Sequence, residues 1–254
     1  MISARTLKIY LVSIKRRLPP WTRAAWLKIH NHLSVAFEHK HIGRQSYIAP
    51  GVHVTRWRKV QIGNNSVICD GTFININDLS TEAHGIQIGD NVWVGRHNFF
   101  SPGPALRLGD YVLTAPDCRF LGANHNINDP FQPYIATGTT GRDITIGTNV
   151  WLGAGVTVMG GVTIGHGSIV GAGSIVTKPI PPFCIATGIP AKVVKVFDAK
   201  SHKWVPIDKP HEPLTISEAD YVQHLNSKTP HISMPWQVAS KRMGDGYRYN
   251  QVHH

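Results

Sequence analysis

IGTNVWLGAGVTVMGGVTIGHGSIVGAGSIVTK, residues 146–178, carries an aliphatic residue at every sixth position: Ile146, Leu152, Val158, Ile164, Val170 and Val176. Neither the 3.6-residue period of a helix nor the alternation of a plain strand generates that spacing. A hexapeptide period is the mark of a parallel β-helix. Three hexapeptides close one triangular coil, with the aliphatic anchors pointing into the prism. Successive coils hydrogen-bond at strand spacing, about 4.8 Å.

Upstream, the same period starts at Ile42. Its anchors are Ile42, Ile48 and Val54; Ile62, Ile68 and Ile74; Ile88, Val94 and Phe100; Leu108, Thr114 and Phe120. A Gly, Ala or Cys follows most anchors, where the chain turns a corner. Two residues before most of them stands a small or β-branched residue, among them Ser66, Val92, Val112, Cys118, Val156, Ser168 and Ser174. Extra residues enter after Val54, Ile74, Phe100 and Phe120, always behind the third hexapeptide, so every insertion is expected to leave the prism at one corner. The longest is 121–145, LGANHNINDPFQPYIATGTTGRDIT. A 25-residue excursion from a repetitive scaffold marks a functional loop.

The predicted fold is therefore an all-β solenoid over 42–196, flanked by two other segments. Residues 1–41 read as a basic cap of two short helices divided by Pro19-Pro20, with Trp21, Trp26 and Leu33 available to cover the first coil; a solenoid needs such caps. Residues 197–254 form a C-terminal extension of unassigned role. One helix is expected there near Ser217–Leu225, opened by a capping pair of Ser217 and Asp220.

The 254 residues suffice for a core without covalent staples, and hydrophobic residues at 42% exclude a disordered chain. Three cysteines, with no CxxC pair, suit a reducing compartment. The first residues hold an apolar stretch too short, and too interrupted by Lys8, for a secretory signal. A cytoplasmic location is expected. The net charge is +11, of which residues 1–41 supply +7. Nucleic-acid binding would need basic residues spread along a groove with interleaved aromatics, and the repeats lack them. Arg5, Lys8, Lys15, Arg16 and Arg17, alternating with Leu7, Ile9, Leu11 and Ile14, either only cap the solenoid or also touch an anionic membrane surface.

Residues 42–196, and above all 146–194, ending in SIVTKPIPPFCIATGIPAKVV, resemble the hexapeptide-repeat acetyltransferases. Closest in type are the maltose/galactoside and polysaccharide O-acetyltransferases, with the xenobiotic acetyltransferases beside them. The resemblance implies a left-handed parallel β-helix, a homotrimer with active sites between subunits, and acetyl-CoA laid along the coils. It also implies a carbohydrate acceptor and direct acetyl transfer to a hydroxyl. Such transfer needs a base for the hydroxyl proton. His125, in the GANH string of the long loop, is similar to the family's catalytic histidine. Asp129, before Pro130, either orients that imidazole or opens the proline turn. Trp151 and Asn98 match acceptor-side positions, although Trp151, like Trp93, points outward and also suits a trimer contact. Ala154, Ala172, Thr177 and Lys178 match positions lining the pantetheine and nucleotide path. Lys192 and Lys195 match basic positions near the phosphates.

Other readings remain. Xenobiotic or amino-sugar N-acetylation uses the same chemistry, and a non-catalytic assembly subunit uses the same solenoid. A serine acetyltransferase would carry a larger helical domain ahead of the coils. No metal is expected: His84, His97 and His166 raise a zinc site of carbonic-anhydrase type, but no histidine lies between His125 and His166. Cys69, Cys118 and Cys184 suit corner, core and exit positions rather than catalysis.

Overall fold

A computed structural model describes residues 41–76, 85–229 and 234. The expected N-terminal cap, apart from His41, lies outside the described residues, as does His84.

The hexapeptides build a prism with three parallel sheets. Its first face stacks Val60–Ile62, Ile86–Ile88, Leu106–Leu108, Ile144–Ile146 and Thr163–Ile164. Single bridges, Ile42 to Ile62 and Ile164 to Ile180, extend it at both ends. The second face stacks Tyr47–Ile48, Val67–Ile68, Trp93–Val94, Leu113–Thr114, Trp151–Leu152, Ile169–Val170 and Cys184–Gly188. The third stacks His53–Val54, Phe73–Ile74, Phe99–Ser101, Arg119–Leu121, Thr157–Met159 and Ile175–Val176. Register places each anchor on its predecessor, so Phe100, Phe120, Val158 and Val176 form one column. The rings of Phe100 and Phe120 stack at 4.6 Å.

Every anchor from Val54 onward is buried, while Ile42 and Ile48 in the first coil are half-buried. Thr114 occupies an anchor slot because its hydroxyl has work there. It accepts from Gly95 N at 3.0 Å and from Asn98 Nδ2 at 3.1 Å. The small residues ahead of the anchors point inward too. Ser66 donates to Gly89 O and accepts from Val92 N, and Ser168 links Pro181 O to Cys184 N in the same way, so each buried hydroxyl ties two coils together.

Corner chemistry explains the rest of the repeat. The third residue after an anchor takes a left-handed conformation: Gln45, Asn65, Asn91, Tyr111 and Asn149 follow one another up the corner between the first and second faces. Asparagine tolerates that region better than most residues. The residue directly after an anchor is small because coils meet there backbone to backbone. A Cβ on Gly147, for example, would lie 2.6 Å from His166 N.

Polar side chains also climb the first corner as a ladder. Arg44 N donates to Asn64 Oδ1, Asn64 N to Asp90 Oδ1 and Asp90 N to Asp110 Oδ1, at 2.9, 2.6 and 2.8 Å. Burial pushes the Asp110 carboxyl above its usual range. Two coils on, His166 holds the equivalent place and bonds Ile216 O instead. Thr148 N donates to Glu218 Oε1 at 2.6 Å, a residue of the C-terminal helix.

That helix, Glu218–Lys228, is capped by Ser217, whose hydroxyl accepts from Asp220 N. Asn149 Nδ2 donates to the Tyr221 hydroxyl at 2.6 Å, Tyr111 pairs with Asn226, and the rings of His166, Phe183 and Tyr221 pack together. The second sheet also runs on past residue 196, through the antiparallel strands Ala191–Asp198 and Lys203–Pro206. The C-terminal segment up to residue 229 thus wraps the corner of the last coils. Among the described residues no helix is long and apolar enough to cross a membrane.

Candidate active site

The long excursion leaves at the corner between the third and first faces. Leu121 still belongs to a strand, and Ile144 and Thr145 to the next, so the expected loop 121–145 narrows to 122–143. Its stem is an antiparallel hairpin, Ala123–His125 against Thr139–Gly141, with His125 opposite Thr139. His125 is exposed near the end of that stem.

Four glycines pack the root of the stem: Gly103, Gly122, Gly141 and Gly160. An added Cβ on Gly122 would lie 2.4 Å from Gly103 N, one on Gly141 2.7 Å from Gly103 Cα, and one on Gly160 3.0 Å from Gly122 O. Hydrogen bonds of Arg142 N to Gly122 O, Gly160 N to Leu121 O and Gly161 N to Asp143 O close the junction at 3.0, 2.9 and 2.8 Å. The hairpin is therefore seated mainly on backbone, with the Asp143 carboxylate accepting from Ala105 N at 3.0 Å, which fixes its exit direction. Its far end is apolar and uncovered. Ile127 is 73% exposed, Ile135 91% and Phe131 96%.

Two expected site residues have other work. The Asp129 carboxylate accepts from Phe131 N at 2.9 Å, forming the turn through Pro130, and among the described residues no hydrogen bond joins it to His125. Asp129 is a turn-former rather than the imidazole's partner. Asn98 is 1% exposed and points into the prism. Its amide donates to Gly95 O, Thr114 Oγ1 and Ala115 O, so it braces the core and cannot reach an acceptor. The reason is positional: Asn98 stands two residues before anchor Phe100, an inward slot.

The remaining expected residues fall in two places. Trp151, 49% exposed, stands on the outer side of the second face, below Ile169 and Ile185. Ala154 and Ala172 are exposed on the adjoining corner in successive coils, where Gly173 N donates to Ala154 O. Lys192 and Lys195, also exposed, lie on the strand above them. Strict alternation would send residues three apart to opposite faces. A register shift between Ile185 and Ala186 prevents this: Lys192 pairs with Thr187 and Lys195 with Ile185, two residues on the outer side. The bulge thus re-aims one lysine so that both project beside Ile185. Thr177 and Lys178 are exposed across the third face, on the corner from which the hairpin leaves two coils earlier.

Neither the bulge nor the glycine root was read from the sequence. The glycines carried a signal, since 103, 122, 141 and 160 are spaced nineteen residues apart. The C-terminal aromatics Phe197, Trp204 and Tyr221, which flank Trp151 across a groove, carried none.

The cysteines are unsuited to nucleophilic work. Burial raises the thiols of Cys69 and Cys118 to about 11 and that of Cys184 above its usual value, and a protonated thiol is a poor nucleophile. Among the described residues no three His, Cys, Asp or Glu side chains converge as a metal site would require.

Comparisons with known proteins agree with this architecture. Residues 143–178 match the family described as bacterial transferase hexapeptide (six repeats). A Mycobacterium tuberculosis protein named "probable acetyltransferase Rv3034c" is 36% identical over 128 residues. The match spans 49% of this chain and 43% of that relative, less than half of its length. Among solved structures, AntD, an N-acyltransferase from Bacillus cereus, superposes with a TM-score of 0.54 at 19% identity over 63% of this chain and 86% of its own; that structure holds dTDP-4-amino-4,6-dideoxyglucose and coenzyme A. A second AntD structure, with dTDP and 3-hydroxybutyryl-CoA, gives 0.54 at 18% identity over 63% and 85%. The repeat and this likeness of fold show a left-handed parallel β-helix built from hexapeptide repeats.

Proposed function

We propose that this protein is an acetyl-CoA-dependent acetyltransferase that modifies a sugar hydroxyl on a polysaccharide, lipid-linked glycan or nucleotide sugar. One observation carries the reading: a single histidine on a rigidly rooted hairpin, on the same solenoid as a corner of small exposed residues leading to two co-projecting lysines. Acetyl-CoA would supply an acetyl group activated as a thioester. The chain fits it. Ala154 and Ala172 leave an unobstructed corner for an extended pantetheine arm, and Lys192 and Lys195 offer charge-assisted bonds to its phosphates. Thr177 and Lys178 line the same ligand from the other border of the third face.

His125 takes the proton of the acceptor hydroxyl as that oxygen bonds to the thioester carbonyl carbon. As the carbon–sulfur bond breaks, the imidazolium returns the proton to the leaving thiolate. No covalent acyl-enzyme is needed, in keeping with cysteines held protonated by burial. The uncovered apolar tip of the hairpin supports a site shared between copies of a homotrimer. Such side chains exposed together mark a contact surface, and among the described residues nothing covers Phe131 and Ile135. Residues 1–41, with their net charge of +7, would bring the enzyme to an anionic membrane surface where a lipid-linked acceptor is made. The work of the enzyme is then cytoplasmic.

Thiol release from acetyl-CoA over a panel of sugars, nucleotide sugars and xenobiotics tests the reading. His125→Ala should lose 10²–10⁴-fold in turnover, the usual contribution of a general base, while its affinity for acetyl-CoA stays unchanged. Near-normal turnover in that variant would remove His125 from the mechanism. Amino-sugar N-acetylation is the second reading, favoured by the AntD fold, whose complex holds an amino sugar. Hydroxylamine separates the two, because it cleaves an acetyl ester and leaves an amide intact.

A further inference from the structure

The outer surface of the second face ends in a groove that the mechanism above does not use. Strand Ala191–Asp198 runs back across that face above Cys184–Gly188. It carries Lys192 over Thr187 at the corner of Ala154 and Ala172, Lys195 over Ile185 at mid-face, and Phe197 beyond them, paired with Trp204. Opposed residues of an antiparallel pair share a face, so both lysines and both rings look outward together. The groove, about 400 Å³, opens under Phe197 and Trp204, with Trp151 and Ile169 as its floor and Tyr221 as its far wall.

Its walls are flat and fixed. Phe197 and Trp204 meet edge to face at 5.4 Å, as do Phe183 and Tyr221 at 5.1 Å, and Asn149 holds the Tyr221 hydroxyl. Rigid aromatic walls with few polar groups suit a planar heteroaromatic ring. Toward Ala172 and Ala154, positive charge follows along the strand. At about 3.3 Å per residue, Lys195 stands roughly 7 Å from Phe197, and Lys192 about 10 Å further along the strand. A base in the groove would have its phosphates beside these lysines, and any chain continuing from them would reach Ala172 and Ala154.

We propose that this groove seats the adenine base of acyl-CoA, with Trp204 as its stacking partner, so that the C-terminal segment completes the nucleotide end of the site. The proposal rests on the acyl-CoA reading above.

Calorimetric titration of the full-length protein with CoA, 4′-phosphopantetheine and 3′,5′-ADP tests it. Trp204→Ala removes the ring, and Trp204→Leu keeps apolar bulk without a stacking surface. Both variants should bind CoA about ten-fold or more weakly, the usual effect of losing one base–aromatic stack, and 4′-phosphopantetheine as well as the wild type does. 3′,5′-ADP should bind the wild type in competition with CoA and fail to bind either variant. Unchanged CoA affinity would overturn the adenine seat, as would equal weakening of CoA and 4′-phosphopantetheine in both variants. A raised acceptor KM with normal CoA affinity would also overturn it, giving the groove to the acceptor. A wild-type protein that binds neither CoA nor 4′-phosphopantetheine would overturn the acyl-CoA reading itself.

Discussion

Gly122→Ala adds a single methyl group at the root of the hairpin that carries His125, three residues away. That methyl would lie 2.4 Å from Gly103 N, 2.9 Å from Arg142 O and 3.2 Å from Pro102 C. All three are backbone atoms, so no flexible side chain can swing aside. Real Cβ contacts almost never fall below 3.0 Å, so the stem must lift by about 0.6 Å, and by about 1 Å for ordinary contact. Overpacking of this kind costs roughly 1–3 kcal/mol of stability. Misplacing a reacting group by about 1 Å costs on the order of 10²-fold in rate. Gly122→Ala should therefore melt at a lower temperature, bind acetyl-CoA normally, and turn over about 100-fold more slowly. Gly160→Ala is the graded comparison: its nearest neighbours, Gly122 O and Gly122 Cα at 3.0 and 3.2 Å, ask for a much smaller shift. Thermal melts, acetyl-CoA titration and thiol release on both variants decide the matter. A Gly122→Ala protein that is destabilised yet turns over normally would show that the hairpin does not position the base.

Glu218→Ala strands the buried Thr148 N–H, at a cost of about 1–3 kcal/mol, and should raise hydrogen exchange and proteolysis across 199–229 while leaving the coils protected. The Asp198 carboxyl sits at about 2, below its ordinary value, because the Glu212 N–H and then the Ser201 hydroxyl and N–H favour its ionised form. That stabilisation is complete above the unfolded value near 4 and fades as pH falls toward 2, so the melting-temperature gap between wild type and Asp198→Asn should close on acidification; a constant gap would refute it. Iodoacetamide at pH 7 should leave thiol release intact, since the Cys69 and Cys118 thiols are held protonated; rapid inactivation would contradict this. The full-length protein should pellet with anionic vesicles at low salt and be released at high salt, each basic residue near the surface contributing on the order of 1 kcal/mol; failure to pellet would leave residues 1–41 with no membrane role.

The solenoid was legible because each hexapeptide states its own geometry. Leu152, Val158 and Ile164 are buried where the six-residue period puts them, and insertions crowd one corner because only there does the chain depart from the stack. The site was less legible. Asn98 was misassigned because an asparagine two residues before an anchor has the same appearance in sequence whether it binds substrate or braces a coil; only its three bonds inside the prism distinguish them. Lys192 and Lys195 are separated by a number that forbids a shared face in a regular strand. Their alignment depends on a register shift against Ile185 and Ala186, which is a property of two strands and not of either alone.

The C-terminal segment marks the limit of such reading, and the corner ladder gives the physical reason. Each backbone N–H at Arg44, Asn64 and Asp90 is met by a side chain one coil later, at Asn64, Asp90 and Asp110. The same requirement exists at Thr148, but the next coil offers His166, whose ring turns to Ile216 O. The carboxylate that answers Thr148 is Glu218, supplied by a helix after the repeats end. The helix thus supplies what a further acidic rung would have supplied, and its other ties, at Asn149 and Tyr111, fall on the same corner. A repeat announces its own vacancies, here a rung without an acid, and leaves open which distant residue fills them. In this protein the filler also positions Tyr221 beside Trp151, so the segment that completes the ladder is the one that walls the groove.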